Sequence, residues 1–92
     1  MTNTKQFRDW ERITKGTANH RRLQILDLLA QKPELSVMDV SNELGVNFKT
    51  ISEHIRRLAL AGLVMKRNEY TAVRHKLTPR GSAILKFLRT LE

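Results

Sequence analysis

The sequence has no cysteine among its 92 residues. That excludes disulfides, thiolate zinc sites and cysteine-ligated iron–sulfur clusters. It has two prolines and four glycines, too few for a linker-rich or low-complexity chain. Long apolar runs are also missing. The longest, Leu58 to Met65, is eight residues and contains Gly62, against the roughly 20 that a membrane-spanning helix needs. Met1 to Lys15 alternates polar and charged groups, so the sequence predicts neither a secretory signal nor an anchor. The expectation is a cytoplasmic protein with no membrane partner.

Acidic residues are scarce: nine Asp+Glu stand against 17 Lys+Arg, for a net charge of +8. The imbalance is local. Met1 to Val46 carries seven basic and six acidic residues, whereas Asn47 to Glu92 carries ten basic and three acidic, net +7. Segregated positive charge suits a face that binds a polyanion, because each neutralised phosphate releases condensed counterions. The plainer reading is a basic surface that serves solubility alone. With 40% hydrophobic and 28% charged residues, the chain predicts one small folded domain over 1–92, too short for a multidomain or large-cofactor enzyme.

Periodicity orders the elements. Phe7, Trp10 and Ile13 recur every three residues, predicting a first helix that ends near Gly16. Asn19 is a candidate cap for a second helix rich in Leu and Ile that stops before Pro33. Ser36 caps a short third helix carrying Val37, Val40 and Leu44, and Gly45 supplies its left-handed end. Asn47 caps a fourth helix starting near Phe48, with Ile51, Ile55 and Leu58 on one face and Gly62 closing it. Two helices joined by a short glycine-containing turn make a helix-turn-helix. Beyond it, Leu63–Asn68 and Val73–Leu77 read as two strands, with Glu69–Ala72 as the tip of a hairpin that lacks an Asn-Gly or Asp-Gly signal. Thr78-Pro79 opens a last helix with an apolar stripe of Ile84, Phe87, Leu88 and Leu91. The predicted fold class is mainly α with a small β-hairpin, a winged helix-turn-helix.

In this order the motifs resemble the ArsR-type transcriptional regulators. Ala18-Asn19-His20-Arg21-Arg22-Leu23-Gln24-Ile25-Leu26 is similar to that family's A-D-P-T-R-x-x-I-L opening, with Asn19 at its Asp and Arg22 at its Arg. Glu34 to Val40 resembles E-L-x-V-x-D-L, Thr50 to Leu58 resembles T-V-S-x-H-L-x-x-L, and Leu60 to Val64 resembles x-A-G-L-V. The likeness spans about residues 17 to 77. It implies a DNA-binding regulator, a homodimer, repression by promoter occupancy, and a phosphate contact for His54. Many members sense metals through a cysteine pair in the second segment, where this sequence has Ser36 and Met38. Others use His and carboxylates on the last helix, yet Thr78 to Glu92 holds no His or Asp. No metal and no cofactor are therefore expected. The junction Leu77-Thr78-Pro79-Arg80-Gly81 is closer to the L-T-x-x-G of MarR-type regulators, which leaves the subfamily open.

Helical geometry selects the DNA-facing residues. With Ile51, Ile55 and Leu58 inward, Lys49, Ser52, Glu53 and Arg56 point away from the core. Lysine and arginine can donate to guanine, serine can bond either way, and glutamate can accept from cytosine. Phe48 flanks this face and either meets a thymine methyl or packs as a staple. Asn47 and Thr50 lie at the helix start, where free amides favour phosphate. Lys66, Arg67, Arg74 and Lys76 on the hairpin suit backbone or minor-groove contacts, or else merely keep an edge hairpin soluble.

His20, His54 and His75 fall on three different elements without the spacing of a metal site. His54 borders the apolar face and reads first as a structural residue. No nucleophile–base arrangement or glycine-rich phosphate loop is present, so an enzyme is not expected. The stripes Phe7, Trp10, Ile13 and Ile84, Phe87, Leu88, Leu91 exceed what one small core needs, and a two-fold homodimer interface would bury them. The function read from all this is a sequence-specific, double-stranded DNA-binding repressor. Two alternatives stay open: an architectural protein binding DNA without sequence choice, and a winged-helix module that binds protein. Whether a small-molecule effector exists is not legible.

Overall fold

Polar caps and apolar periodicity set the helix boundaries in the computed structural model, which describes residues 4–92. The elements in chain order are α1 Thr4–Thr17, α2 His20–Gln31, α3 Val37–Leu44, α4 Phe48–Leu60, β1 Val64–Glu69, β2 Ala72–Leu77 and α5 Pro79–Arg89. Asn19, Ser36, Asn47 and Thr78 cap α2, α3, α4 and α5, each side chain satisfying amides that the helix leaves unpaired and contributing about 1 kcal/mol. Ser36 does so reciprocally: its Oγ accepts the Asp39 N–H while the Asp39 carboxylate accepts the Ser36 N–H. Gly45 ends α3 at φ 64°, a conformation that favours glycine. The turn into α4 is then locked by the Ser41 hydroxyl, which donates to the Val46 carbonyl.

Apolar faces of α2, α3 and α4 converge on one core of Ile25, Leu26, Leu29, Val40, Ile51, Ile55, Leu58 and Leu63, all buried. The hairpin that follows is a two-stranded antiparallel sheet with Val64 opposite Leu77 and Glu69 opposite Ala72. Its ladder therefore runs one residue pair further than the sequence predicts, and the turn shrinks to Tyr70 and Thr71. Tyr70 supplies the positive φ of 54° that the turn requires, a conformation glycine or asparagine adopts more readily. A further pairing is absent from the sequence reading: Glu34 N–H donates to His75 O and His75 N–H to Leu35 O, both at 2.9 Å. The α2–α3 turn thus adds a short third segment to the edge of the hairpin.

The Thr78-Pro79-Arg80-Gly81 junction has a packing reason. Thr78 Oγ1 accepts the Gly81 N–H at 3.0 Å and donates to Gly62 O at 2.6 Å. A β-carbon at Gly81 would overlap the Leu63 carbonyl, so glycine lets α5 lie directly against the start of the hairpin. Arg89 and Asp27 pair at 2.6 Å, tying α5 to α2. Among the described residues no helix is long and apolar enough to cross a membrane.

Candidate nucleic-acid interface

The exposed side of α4 is the consequence of its start. Asn47 Oδ1 accepts the N–H groups of Lys49 and Thr50 at 2.8 and 3.3 Å, which sets the helical phase, and Ile51, Ile55 and Leu58 then turn inward together. Lys49, Ser52, Glu53 and Arg56 are exposed on the other side. Asn47, Lys49, Thr50, Glu53 and His54 line one shallow concavity, at the end of the helix where free amides and the helix dipole favour anions. Phe48, at the first helical position, is 48% exposed, so about half of its surface is open to a partner.

Among the described residues, Glu53 is the one carboxylate that α4 itself carries. Its Oε2 accepts Arg56 Nε at 3.0 Å, and its Oε1 accepts Arg56 Nη2 at 2.8 Å and Arg57 Nε at 3.0 Å. Hydrogen bonds from Arg56 first and Arg57 second hold the carboxyl down to about 2, so it is ionised throughout the physiological range. The sequence reading treats Glu53 and Arg56 as separate base readers. Their i,i+3 spacing is the signal that they meet each other first.

His54 turns out to be tied to α2. Arg22 Nε donates to His54 Nδ1 at 3.3 Å, and Arg22 Nη1 donates to Lys15 O at 3.0 Å and Gly16 O at 3.5 Å. One guanidinium thereby joins the C-terminal end of α1 to the middle of α4. Burial, and then the Arg22 charge, push the His54 imidazole below its ordinary pKa, which keeps Nδ1 available as an acceptor. His75 is buried, with Nδ1 2.8 Å from Leu35 O. Desolvation lowers its pKa, partly opposed by that backbone hydrogen bond. His20 is exposed at the start of α2.

The wing cations divide. Because paired residues share a face and neighbours alternate, Lys66 lies on the His75 face while Arg67, Arg74 and Lys76 share the other. Arg67 and Arg74 are directly opposite one another, an unfavourable like-charge pairing that carboxylates relieve. Arg67 donates to Glu34 Oε2 at 3.1 and 2.9 Å and to Glu69 Oε2 at 2.9 Å. Arg74 donates to the Glu34 carbonyl at 3.1 Å and lies 3.7 and 3.9 Å from the Glu69 and Asp39 carboxylates. No carboxylate among the described residues pairs with Lys66 or Lys76, both exposed. Glu34 is a residue that sequence reasoning missed; it lies 33 positions from Arg67.

The terminal stripes also separate by burial. Ile13 and Ile84 pack against the core, and Leu88 is half-buried. Phe7, Trp10, Phe87 and Leu91 remain outside, each about half exposed or more. Phe7 and Trp10 meet edge to face with centroids 5.8 Å apart.

Residues 19–66, spanning the cap of α2 through α4 to the start of β1, match the family described as bacterial regulatory protein, arsR family. This chain belongs to the ArsR family. ArsR proteins are transcriptional regulators, not enzymes. Over 60 residues, 65% of the chain, it is 47% identical to the HTH-type transcriptional regulator Rv0324 of Mycobacterium tuberculosis, of which it covers 26%. Over 66 residues, 72% of the chain, it is 39% identical to the transcriptional activator HlyU of Vibrio cholerae, of which it covers 60%. The chain thus spans less than two thirds of the curated relatives it matches. Among solved structures, the homodimeric winged helix-turn-helix DNA-binding domain of Mb0332 from Mycobacterium bovis superposes with TM-score 0.87 at 31% identity, over 99% of this chain and 86% of that one. The winged helix-turn-helix is therefore the ArsR fold here too. The MarR-like junction is explained by Gly81 packing within that fold. Where the resemblance places family cysteines, this ArsR chain has Ser36, engaged in capping α3, and Met38, exposed on its surface.

Proposed function

We propose that this chain binds double-stranded DNA sequence-specifically as a homodimer in the cytoplasm and represses transcription by occupying a promoter. The observation that carries the reading is α4. It is a capped helix whose inward face is fully packed and whose exposed face carries Lys49, Ser52, Glu53 and Arg56, side chains able to bond base edges in a major groove. Asn47, Thr50 and His54 serve phosphate contacts at its N-terminal half, and the open half of Phe48 suits a thymine methyl. On the wing, the unpaired Lys66 and Lys76 supply backbone contacts. Arg67 and Arg74, already engaged by Glu34 and Glu69, chiefly hold the wing on the α2–α3 turn and add less than the lysines to the contact with DNA.

Exposed Phe7, Trp10, Phe87 and Leu91, with Leu88 beside them, supply the two-fold interface, which places two recognition helices about 34 Å apart. The homodimeric state of the Mb0332 domain supports this. Selection of duplexes from a randomised pool at near-physiological salt tests the proposal. The expected product is an inverted repeat with one-turn half-site spacing. Retention without a motif would instead make the protein architectural, and no retention would make the face a protein-binding one. A reporter driven through the selected site then reads the sign of regulation, expected to fall when the chain is present.

A further inference from the structure

We infer that Glu53 does not read a base but pins Arg56 in the pose that reads a guanine. The inference rests on the DNA-binding reading above and deepens it. Arg56 spends its side edge, Nε and Nη2, on the two oxygens of Glu53. A guanidinium has five N–H groups in a fixed fork. With the side edge occupied, the end edge formed by Nη1 and the remaining Nη2 hydrogen is left. That edge carries two parallel donors, the pattern that matches O6 and N7 of guanine.

The carboxylate is itself held from a second direction. Arg57 Nε donates to Glu53 Oε1, so three hydrogen bonds occupy a group with about four acceptor sites. Little capacity remains for a cytosine amino group. The side chains of Arg56 and Glu53 are 52% and 49% exposed, and an exposed pair of this kind adds little to folding stability. What it removes is side-chain freedom, in a long cation that is exposed in the middle of the recognition helix. Ordering Arg56 before the encounter spares that entropy on binding. The negative charge also opposes indiscriminate attraction of the helix to phosphate, which widens the gap between the right sequence and a random one.

The test compares the full chain with Glu53→Gln, Arg56→Ala and the double variant, first by selection from a randomised pool. Equilibrium binding to the selected site and to each single-base replacement of it follows. Glu53 is exposed, and circular dichroism verifies that each variant folds. Expected is a loss of discrimination at one and the same base pair in both single variants. In Glu53→Gln it is about three- to tenfold, the scale of immobilising one flexible side chain. The double variant is no less discriminating than Arg56→Ala alone. Relaxation at a different base pair in Glu53→Gln would make Glu53 a reader in its own right and overturn the inference, as would additive losses or unchanged preferences. If the unaltered chain selects no motif at all, the sequence-specific reading fails and takes this inference with it.

Discussion

Arg22 on α2 donates from Nε to Nδ1 of His54 on α4 at 3.3 Å, and from the same guanidinium to the Lys15 and Gly16 carbonyls in the last turn of α1. A single half-buried side chain therefore connects the helix proposed for dimerisation to the helix proposed for base readout. The five N–H donors of a guanidinium let this one side chain serve both neighbouring helices at once.

Replacing Arg22 with Met retains much of the stem's packing and removes the donors. Loss of charge-assisted hydrogen bonds to a partly buried site is expected to cost about 1–2 kcal/mol. Urea unfolding checks this through a lower midpoint at unchanged slope. An unchanged midpoint would mean that the link contributes nothing to the fold.

Both His54 and His75 have lowered pKa values, chiefly through burial. The unfolded chain titrates near the ordinary value of about 6.5, so below that pH it binds protons that the native chain resists. Stability from these two sites is fully present above about pH 6.5. It is lost progressively as pH falls through the window down to the lowered native values. Thermal unfolding between pH 8 and pH 5 is expected to show a flat Tm at the alkaline end and a decline on the acidic side. His75→Gln, which cannot take up the proton, should unfold with a shallower decline, though from a lower starting Tm.

Trp10 and Phe87 are about half exposed, on surfaces that intramolecular packing leaves open. A charge at either position in a two-fold interface would be desolvated twice, once per protomer. Trp10→Glu and Phe87→Glu are expected to shift the mass measured by light scattering at micromolar concentration from dimer to monomer while the helix content is kept. A monomeric mass for the unaltered chain would remove the dimer from the proposal.

The wing cations should separate in salt titrations. Lys66→Ala and Lys76→Ala are expected to weaken binding to all duplexes alike and each to reduce the slope of log K against log salt by about one unit. Arg67→Ala removes a cation already neutralised by Glu34 and Glu69, so its slope should change less. Its larger effect should be on hydrogen-exchange protection of the hairpin, whose attachment to the α2–α3 turn it loosens. Equal slope changes for Lys66 and Arg67 would show that the Arg67 pairs open on DNA.

Much of this molecule is legible residue by residue. Caps at Asn19, Ser36, Asn47 and Thr78, the left-handed Gly45, and the inward set Ile51, Ile55 and Leu58 all rest on interactions within a few positions along the chain. Local stereochemistry writes those directly into sequence. The hairpin was less legible because its turn uses Tyr70 in a conformation normally signalled by glycine or asparagine. The Glu53–Arg56 pair lies between these cases: its spacing is local, but both residues also fit base readout, and composition does not choose between the two uses.

The sequence alone therefore determined the order of elements, the helical phase of α4 and the concentration of charge on the second half. Only the tertiary structure decided which of those charges are spoken for. Arg67 finds Glu34 across 33 positions, Arg22 finds His54 across 32, and Leu35 pairs with His75 across 40. Each meeting depends on where packing of the core brings distant segments, and a charge neutralised by a remote partner looks the same in sequence as one left open to DNA.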